Sequence, residues 1–71
     1  MNKIKIWGII QDEEDCAIPY VCVRLLRKIQ HNRRTIYEYI GECYSDEEGR
    51  YTFLVPRERE RVYKVVVIWN L

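Results

Sequence analysis

Residues 45–56, SDEEGRYTFLVP, combine a turn with the strand that follows it. Asp46 can accept hydrogen bonds from amides that follow it in the chain, and Gly49 supplies the positive φ that most residues avoid. After the glycine, Tyr51 begins an alternation with a period of two residues, in which Tyr51, Phe53 and Val55 share one side. We therefore predict a turn over residues 45–49 and a strand over residues 50–55, which Pro56 ends.

The same alternation of residues recurs along most of the chain and predicts four further strands. They cover residues 3–11, 20–29, 35–44 and 62–69. Gly41 interrupts the third of these strands and predicts either a bulge or a close backbone approach there. Polar or charged segments separate the strands and are predicted to be solvated turns or loops, at residues 12–15, 30–34 and 57–61.

Four short motifs follow one another along the chain. They are Ile6-x-Gly8-x-Ile10-x-Asp12, Ile18-Pro19 followed by Val21-x-Val23-x-Leu25, Ser45-Asp46-x-x-Gly49-x-Tyr51-x-Phe53 with Val55-Pro56, and Tyr63-x-Val65-x-Val67. In this order they resemble the first strand, the second strand, the most recognisable element and the closing element of the carboxypeptidase regulatory-like domain family. The resemblance spans nearly the whole chain.

The resemblance implies a Greek-key β-sandwich, like that of transthyretin and of the collagen-adhesin B-type modules. Members of the family are mostly accessory modules of enzymes, receptors or surface proteins, are generally not catalysts and are often found outside the cell. This chain departs from the family in two ways. First, the charged RERERV, residues 57–62, stands where the family has a glycine-containing loop before the closing strand. Second, family members usually have one or two strands more than the five predicted in this sequence.

Both lines of reasoning predict one all-β domain over residues 1–71, with antiparallel strands in a small, minimal sandwich. No amphipathic helix of useful length is present, and five short strands at even spacing are typical of a sandwich or small barrel. A chain of 71 residues can build only a thin core.

The charge and cysteine content exclude several classes of protein. Twelve basic and eleven acidic residues give a net charge of +1, which provides no strong field for nucleic acid or an anionic membrane. The N-terminal residues lack the apolar run of a signal peptide or a membrane span. Cys16, Cys22 and Cys43 are odd in number and lack CxxC spacing, so we expect free thiols and a cytoplasmic location. One disulfide with a leftover thiol is the alternative.

Neither a metal nor a catalytic site is predicted. Three consecutive acids in a tight turn, as at residues 46–48, cannot all face one calcium ion. His31 and Ser45 are the sole histidine and serine and fall in different loops, which leaves a nucleophile without an oriented base. We therefore expect a protein that is not an enzyme and needs no cofactor. Residues 30–34 are basic and are predicted to form the tip of a hairpin. Tyr37 and Tyr39 follow this tip and could stack on bases, but the net charge argues against nucleic-acid binding.

The first and last predicted strands are apolar on both sides, so they carry more apolar side chains than a single core can bury. If Ile4, Ile6, Ile10, Tyr63, Val65, Val67 and Trp69 form the core, other apolar residues are left outside. We predict that Trp7, Ile9, Val66 and Ile68 form an interface, and that the chain is a homo-oligomer or binds another protein through this face or through an edge strand. The alternative is a carbohydrate- or peptide-binding module that uses Tyr37, Tyr39 and Tyr44.

Overall fold

The structure, a computed structural model, describes residues 2–58 and 61–69. These residues form five antiparallel β-strands in two sheets and contain no helix, which confirms the all-β class. The strands are β1 (Lys3–Ile9), β2 (Cys22–His31), β3 (Arg34–Tyr44), β4 (Arg50–Pro56) and β5 (Val62–Ile68). Residues 59 and 60 of the predicted charged loop lie outside the described part.

The strands pair in an order that differs from their order along the chain. β1 pairs with β4 in a two-stranded sheet, and β2 lies between β3 and β5 in a three-stranded sheet. β2 and β3 follow each other along the chain and form a hairpin. The chain then crosses to the other sheet, where β4 pairs with β1, and crosses back to the first sheet, where β5 pairs with the free side of β2. Each strand carries β-branched residues, and every strand except β2 also carries Trp, Tyr or Phe, the residue types that suit a pleated surface.

The predicted bulge is confirmed in β3. Leu25 is paired with Gly41 and Leu26 with Tyr39, so Ile40 has no partner on β2. In a regular strand, residues that share a face are an even number of positions apart. An unpaired residue shifts the alternation by one position, so residues on either side of it share a face when they are an odd number of positions apart.

Two predicted boundaries of β2 were wrong by two residues each, for reasons that lie in backbone conformation. Tyr20 has a φ of 58°, a left-handed conformation that ends any extended run, so β2 begins at Cys22. At the other end, Asn32 and Arg33 have φ values of 51° and 64°. Two consecutive positive φ values are typical of a type I′ hairpin turn, which needs only two residues and lets the strands extend to His31 and Arg34.

The least exposed apolar side chains are few and come from both sheets. Val23 and Leu25 on one face of β2 are fully buried, and Val55 of β4 is nearly so. By contrast, three residues predicted for the core are substantially exposed: Ile4, Val67 and Trp69. These three belong to the first and last strands or follow them, and each of those strands has a neighbour on one side only.

Candidate interaction surfaces

The corner at Asp46 is built by its own carboxylate. Asp46 Oδ1 accepts hydrogen bonds from the amides of Glu48 at 2.8 Å and Arg50 at 2.9 Å. Gly49 has a φ of 76° and donates its amide to the Asp46 carbonyl oxygen at 2.9 Å. The hydrogen bond from the Arg50 amide, followed by that from Glu48 and the nearby Arg50 charge, lowers the pKa of Asp46. The predicted roles of Asp46 and Gly49 in the turn are confirmed.

The other acidic loop is organised in the same way. Asp12 Oδ1 accepts hydrogen bonds from the amides of Glu14 at 2.9 Å and Cys16 at 3.0 Å. An acidic side chain engaged by its own loop in this manner is a turn former. Within residues 2–58 and 61–69, no three His, Cys, Asp or Glu side chains are grouped so as to hold a metal ion.

Ser45 is the one buried polar side chain found in the described residues, at 1% exposure. Its hydroxyl accepts a hydrogen bond from the Val21 amide at 2.9 Å and donates one to the Ile18 carbonyl oxygen, also at 2.9 Å. Both polar functions of the hydroxyl therefore join the residue that follows β3 to the segment before β2. His31 lies exposed at the hairpin tip, with Nε2 3.2 Å from Asn32 Nδ2.

The first candidate surface is the outer face of the β1–β4 sheet. Trp7 is 61% exposed, Leu54 is 64% exposed, and Ile9 is also exposed. Register places these side chains on one face, because Trp7 is opposite Thr52, Lys5 is opposite Leu54, and Ile9 is opposite Arg50. We call Trp7, Ile9 and Leu54 the tryptophan surface. Leu54 was missing from the predicted interface, although its alternation with Phe53 and Val55 places it on this side.

The structure does not bring the four predicted interface residues into one patch. Val66 and Ile68 lie in the three-stranded sheet, opposite Arg24 and Cys22, on the face away from the buried Val23. Both are half-buried, whereas Trp7 and Ile9 are exposed on the other sheet. The sequence pattern identifies which side of a strand faces away from the core, but it does not show which sheet the strand joins.

The bulge in β3 places three tyrosines on a single face. Tyr37, Tyr39 and Tyr44 lie opposite Lys28, Leu26 and Cys22, which alternate along β2 and therefore share a side. All three rings are exposed. Without the unpaired Ile40, the odd separation of Tyr39 and Tyr44 would put them on opposite faces.

Two of these tyrosines already have contacts within the chain. Lys64 Nζ lies 4.9 Å from the centroid of the Tyr37 ring, within the range of a cation–π interaction. The Tyr39 hydroxyl donates a hydrogen bond to Glu42 Oε1 at 3.2 Å. Partial desolvation and this hydrogen bond to a carboxylate raise the pKa of Tyr39.

A depression of 250 Å³ lies at the end of the three-stranded sheet and is lined by Tyr20, Tyr44 and Trp69 together with Val21, Cys22 and Ile68. Sequence reasoning missed Tyr20 because its left-handed backbone has no sequence signal, and it assigned Trp69 to the core. Tyr44 therefore belongs both to the three exposed tyrosines on β3 and to the lining of this depression.

The exposed area of the chain exceeds that of a compact monomer. A monomeric protein of 8.7 kDa is expected to expose about 4,700 Å². This chain exposes 6012 Å². Its radius of gyration is 13.8 Å, whereas a compact domain of this length has about 11 Å. The surplus area is about 1,300 Å².

Comparison with family models, with curated proteins and with solved structures gives no match for this chain. The described residues contain no helix of the length and apolar character that crossing a membrane requires. The resemblance to carboxypeptidase regulatory-like domains therefore stays a prediction from sequence.

Proposed function

We propose that the protein is a non-catalytic interaction module that associates with a second copy of itself. The observation that carries this proposal is the surplus of about 1,300 Å² of exposed area over a compact monomer of the same mass. A standard protein–protein interface covers about 800 Å² of each partner, so one such interface accounts for most of the surplus. Burial of apolar surface is the main source of stability for a domain this small.

We extend the proposal to the packing of the two sheets. The two sheets pack face to face as a Greek-key sandwich of the transthyretin-like kind, with Val23 and Leu25 of one sheet facing Val55 of the other. The burial of these three side chains supports this arrangement, and so does the smallest dimension of the molecule, 17 Å. Two sheets about 10 Å apart, each twisted, have a backbone thickness of about this size. The unpaired Cys16, Cys22 and Cys43 suit a reducing compartment, and we extend the proposal to the cytoplasm.

Light scattering coupled to size-exclusion chromatography tests self-association directly. We expect a mass of at least twice 8.7 kDa at high concentration, falling toward 8.7 kDa on dilution. A mass of 8.7 kDa that stays constant up to about 100 µM, well above the dissociation constants of ordinary specific complexes, would contradict the proposal.

Trp7→Glu then shows whether the tryptophan surface takes part. The matched control is Gln30→Glu, which adds the same charge at an exposed position on the β2–β3 hairpin, in the other sheet. Dissociation by Trp7→Glu alone would assign the contact to the tryptophan surface. An unchanged mass for both variants would assign it to another surface.

A second candidate function is the binding of a carbohydrate or peptide by Tyr37, Tyr39 and Tyr44. The observation that favours it is the bulge, which places three exposed rings on one face, since aromatic faces stack on sugar rings. Fluorescence titration with oligosaccharides tests it, with Tyr44→Ala as the variant that should lose binding. Thr35→Ala, on the same strand near the hairpin tip, should bind unchanged. The absence of any saturable signal would exclude carbohydrate.

A further inference from the structure

The free edge of β5 is the least protected strand edge in the described residues. Proteins protect an unpaired edge with charge, proline or a bulge, because its free amides and carbonyls otherwise pair with another chain. Three edges have such protection: Lys3 and Lys5 on β1, Arg50 and Pro56 on β4, and the bulge with Glu38 and Glu42 on β3. Strand β5, VYKVVVI, has neither proline nor bulge, and its one charged residue is Lys64.

We propose that β5 pairs antiparallel with β5 of a second copy, which joins two three-stranded sheets into one sheet of six strands. This inference rests on the proposed self-association and specifies the surface through which it occurs. A two-fold axis perpendicular to the sheet relates the copies, so each strand supplies the same edge and the contact closes on itself.

The sequence of β5 selects one register. Full pairing of residues 62–68 puts Val65 on the two-fold axis, opposite itself. Lys64 then lies opposite the second copy's Val66, and Tyr63 lies opposite its Val67. A register centred on Lys64 would instead place two lysines directly opposite each other, which is unfavourable, and would shorten the pairing.

Exposure along β5 supports a second copy as the occupant. Val67 is 42% exposed, although the residue beside it on the same face of the sheet, Val23, is at 0%. The buried row on the inner face therefore stops at β5. In the proposed register the second copy continues this row, because its Tyr63 lies next to Val67. The other pairs across the axis are apolar too, apart from Lys64 and Val66, so the strand is complementary to itself.

The charge next to Lys64 tests both the pairing and its register. Val66→Glu creates two Lys–Glu pairs across the axis, one for each Lys64, whereas Val66→Lys creates two Lys–Lys pairs. Cross-strand pairs of opposite charge stabilise a sheet and pairs of like charge destabilise it, each by several tenths of a kcal/mol or more. The dissociation constant of Val66→Glu should therefore be lower than that of Val66→Lys by about fourfold or more. The matched control is Val62, on the same face of β5. It lies opposite the second copy's uncharged Ile68, so Val62→Glu and Val62→Lys should dimerise equally.

Sedimentation equilibrium measures the dissociation constants, with circular dichroism to establish that each variant is folded. The double variant Lys64→Glu with Val66→Lys restores opposite charges and should dimerise more tightly than Val66→Lys alone. Equal dissociation constants for the two Val66 variants, or no recovery in the double variant, would overturn the β5 pairing while leaving self-association intact. A wild-type protein that stays monomeric would overturn both proposals.

Discussion

Replacement of Ser45 by alanine removes a single oxygen atom from the most buried polar position described. That oxygen accepts from the Val21 amide and donates to the Ile18 carbonyl, each at 2.9 Å. The backbone bonds of Ser45 at this corner, from Tyr20 N to its carbonyl oxygen and from its amide to the Val21 oxygen, are unaffected by the change. The variant therefore isolates the contribution of the hydroxyl.

The expected cost is large for a domain of this size. A buried amide left without its acceptor costs about 1–3 kcal/mol, and a lost hydrogen bond to a partly buried carbonyl adds about 1 kcal/mol. We expect Ser45→Ala to lower the free energy of unfolding by about 2–4 kcal/mol. For a chain of 71 residues, the whole stability is about 4–11 kcal/mol.

Urea denaturation followed by circular dichroism at one fixed protein concentration measures this loss. With an m-value of about 1 kcal/mol/M, the midpoint should fall by about 2 M or more. Thr35→Ala is the matched control, because its hydroxyl accepts one hydrogen bond from Gln30 Nε2 at 3.0 Å in an exposed setting. Its cost should stay below about 1 kcal/mol. If Ser45→Ala costs no more than Thr35→Ala, the bridging role of the Ser45 hydroxyl is refuted.

The remaining predictions concern the corner, its charge and the thiols. Gly49→Ala should cost about 2 kcal/mol or more, because φ is 76° and the added Cβ would meet a backbone oxygen at 2.5 Å. Gly41→Ala, which meets nothing within 4 Å, should change the urea midpoint little. Because the pKa of Asp46 is lowered in the folded state, its contribution to stability is present at neutral pH and is lost in acid, as the pH falls from the pKa of an unfolded aspartate toward the lower pKa of the folded state. Asp46→Asn should therefore lose less stability than the wild type between pH 7 and pH 3 in urea titrations; an equal loss would contradict this. Burial raises the pKa of the Cys43 thiol, so a thiol reagent at neutral pH should modify the exposed Cys16 first, as peptide mapping would show. Faster labelling of Cys43 would contradict this order.

Local patterns predicted the strands and the turn at Asp46 because alternation and turn chemistry act over a few residues. The turn needs a side-chain acceptor followed by a residue that tolerates positive φ, and residues 45–49 supply both. The bulge was also predictable, because Gly41 interrupts a run of β-branched and aromatic residues.

The candidate surfaces were less predictable because they depend on pairing between distant segments. Trp7 and Val66 were both correctly assigned to sides that face away from a buried row, but the two rows belong to different sheets. Tyr44 joins the face of Tyr39 only because one residue between them is unpaired. The position of Tyr20 depends on a left-handed backbone that no neighbouring residue indicates.

The central position of β2 has a consequence for the order in which the molecule opens. In the described part of the chain, β2 is the one strand with a neighbour on each side, and it also carries Val23 and Leu25. Its amides should therefore be the slowest in the described part of the chain to exchange with deuterated solvent, because their release requires the strands on both sides to separate. The outer strands are paired on one side only, so their amides should exchange earlier.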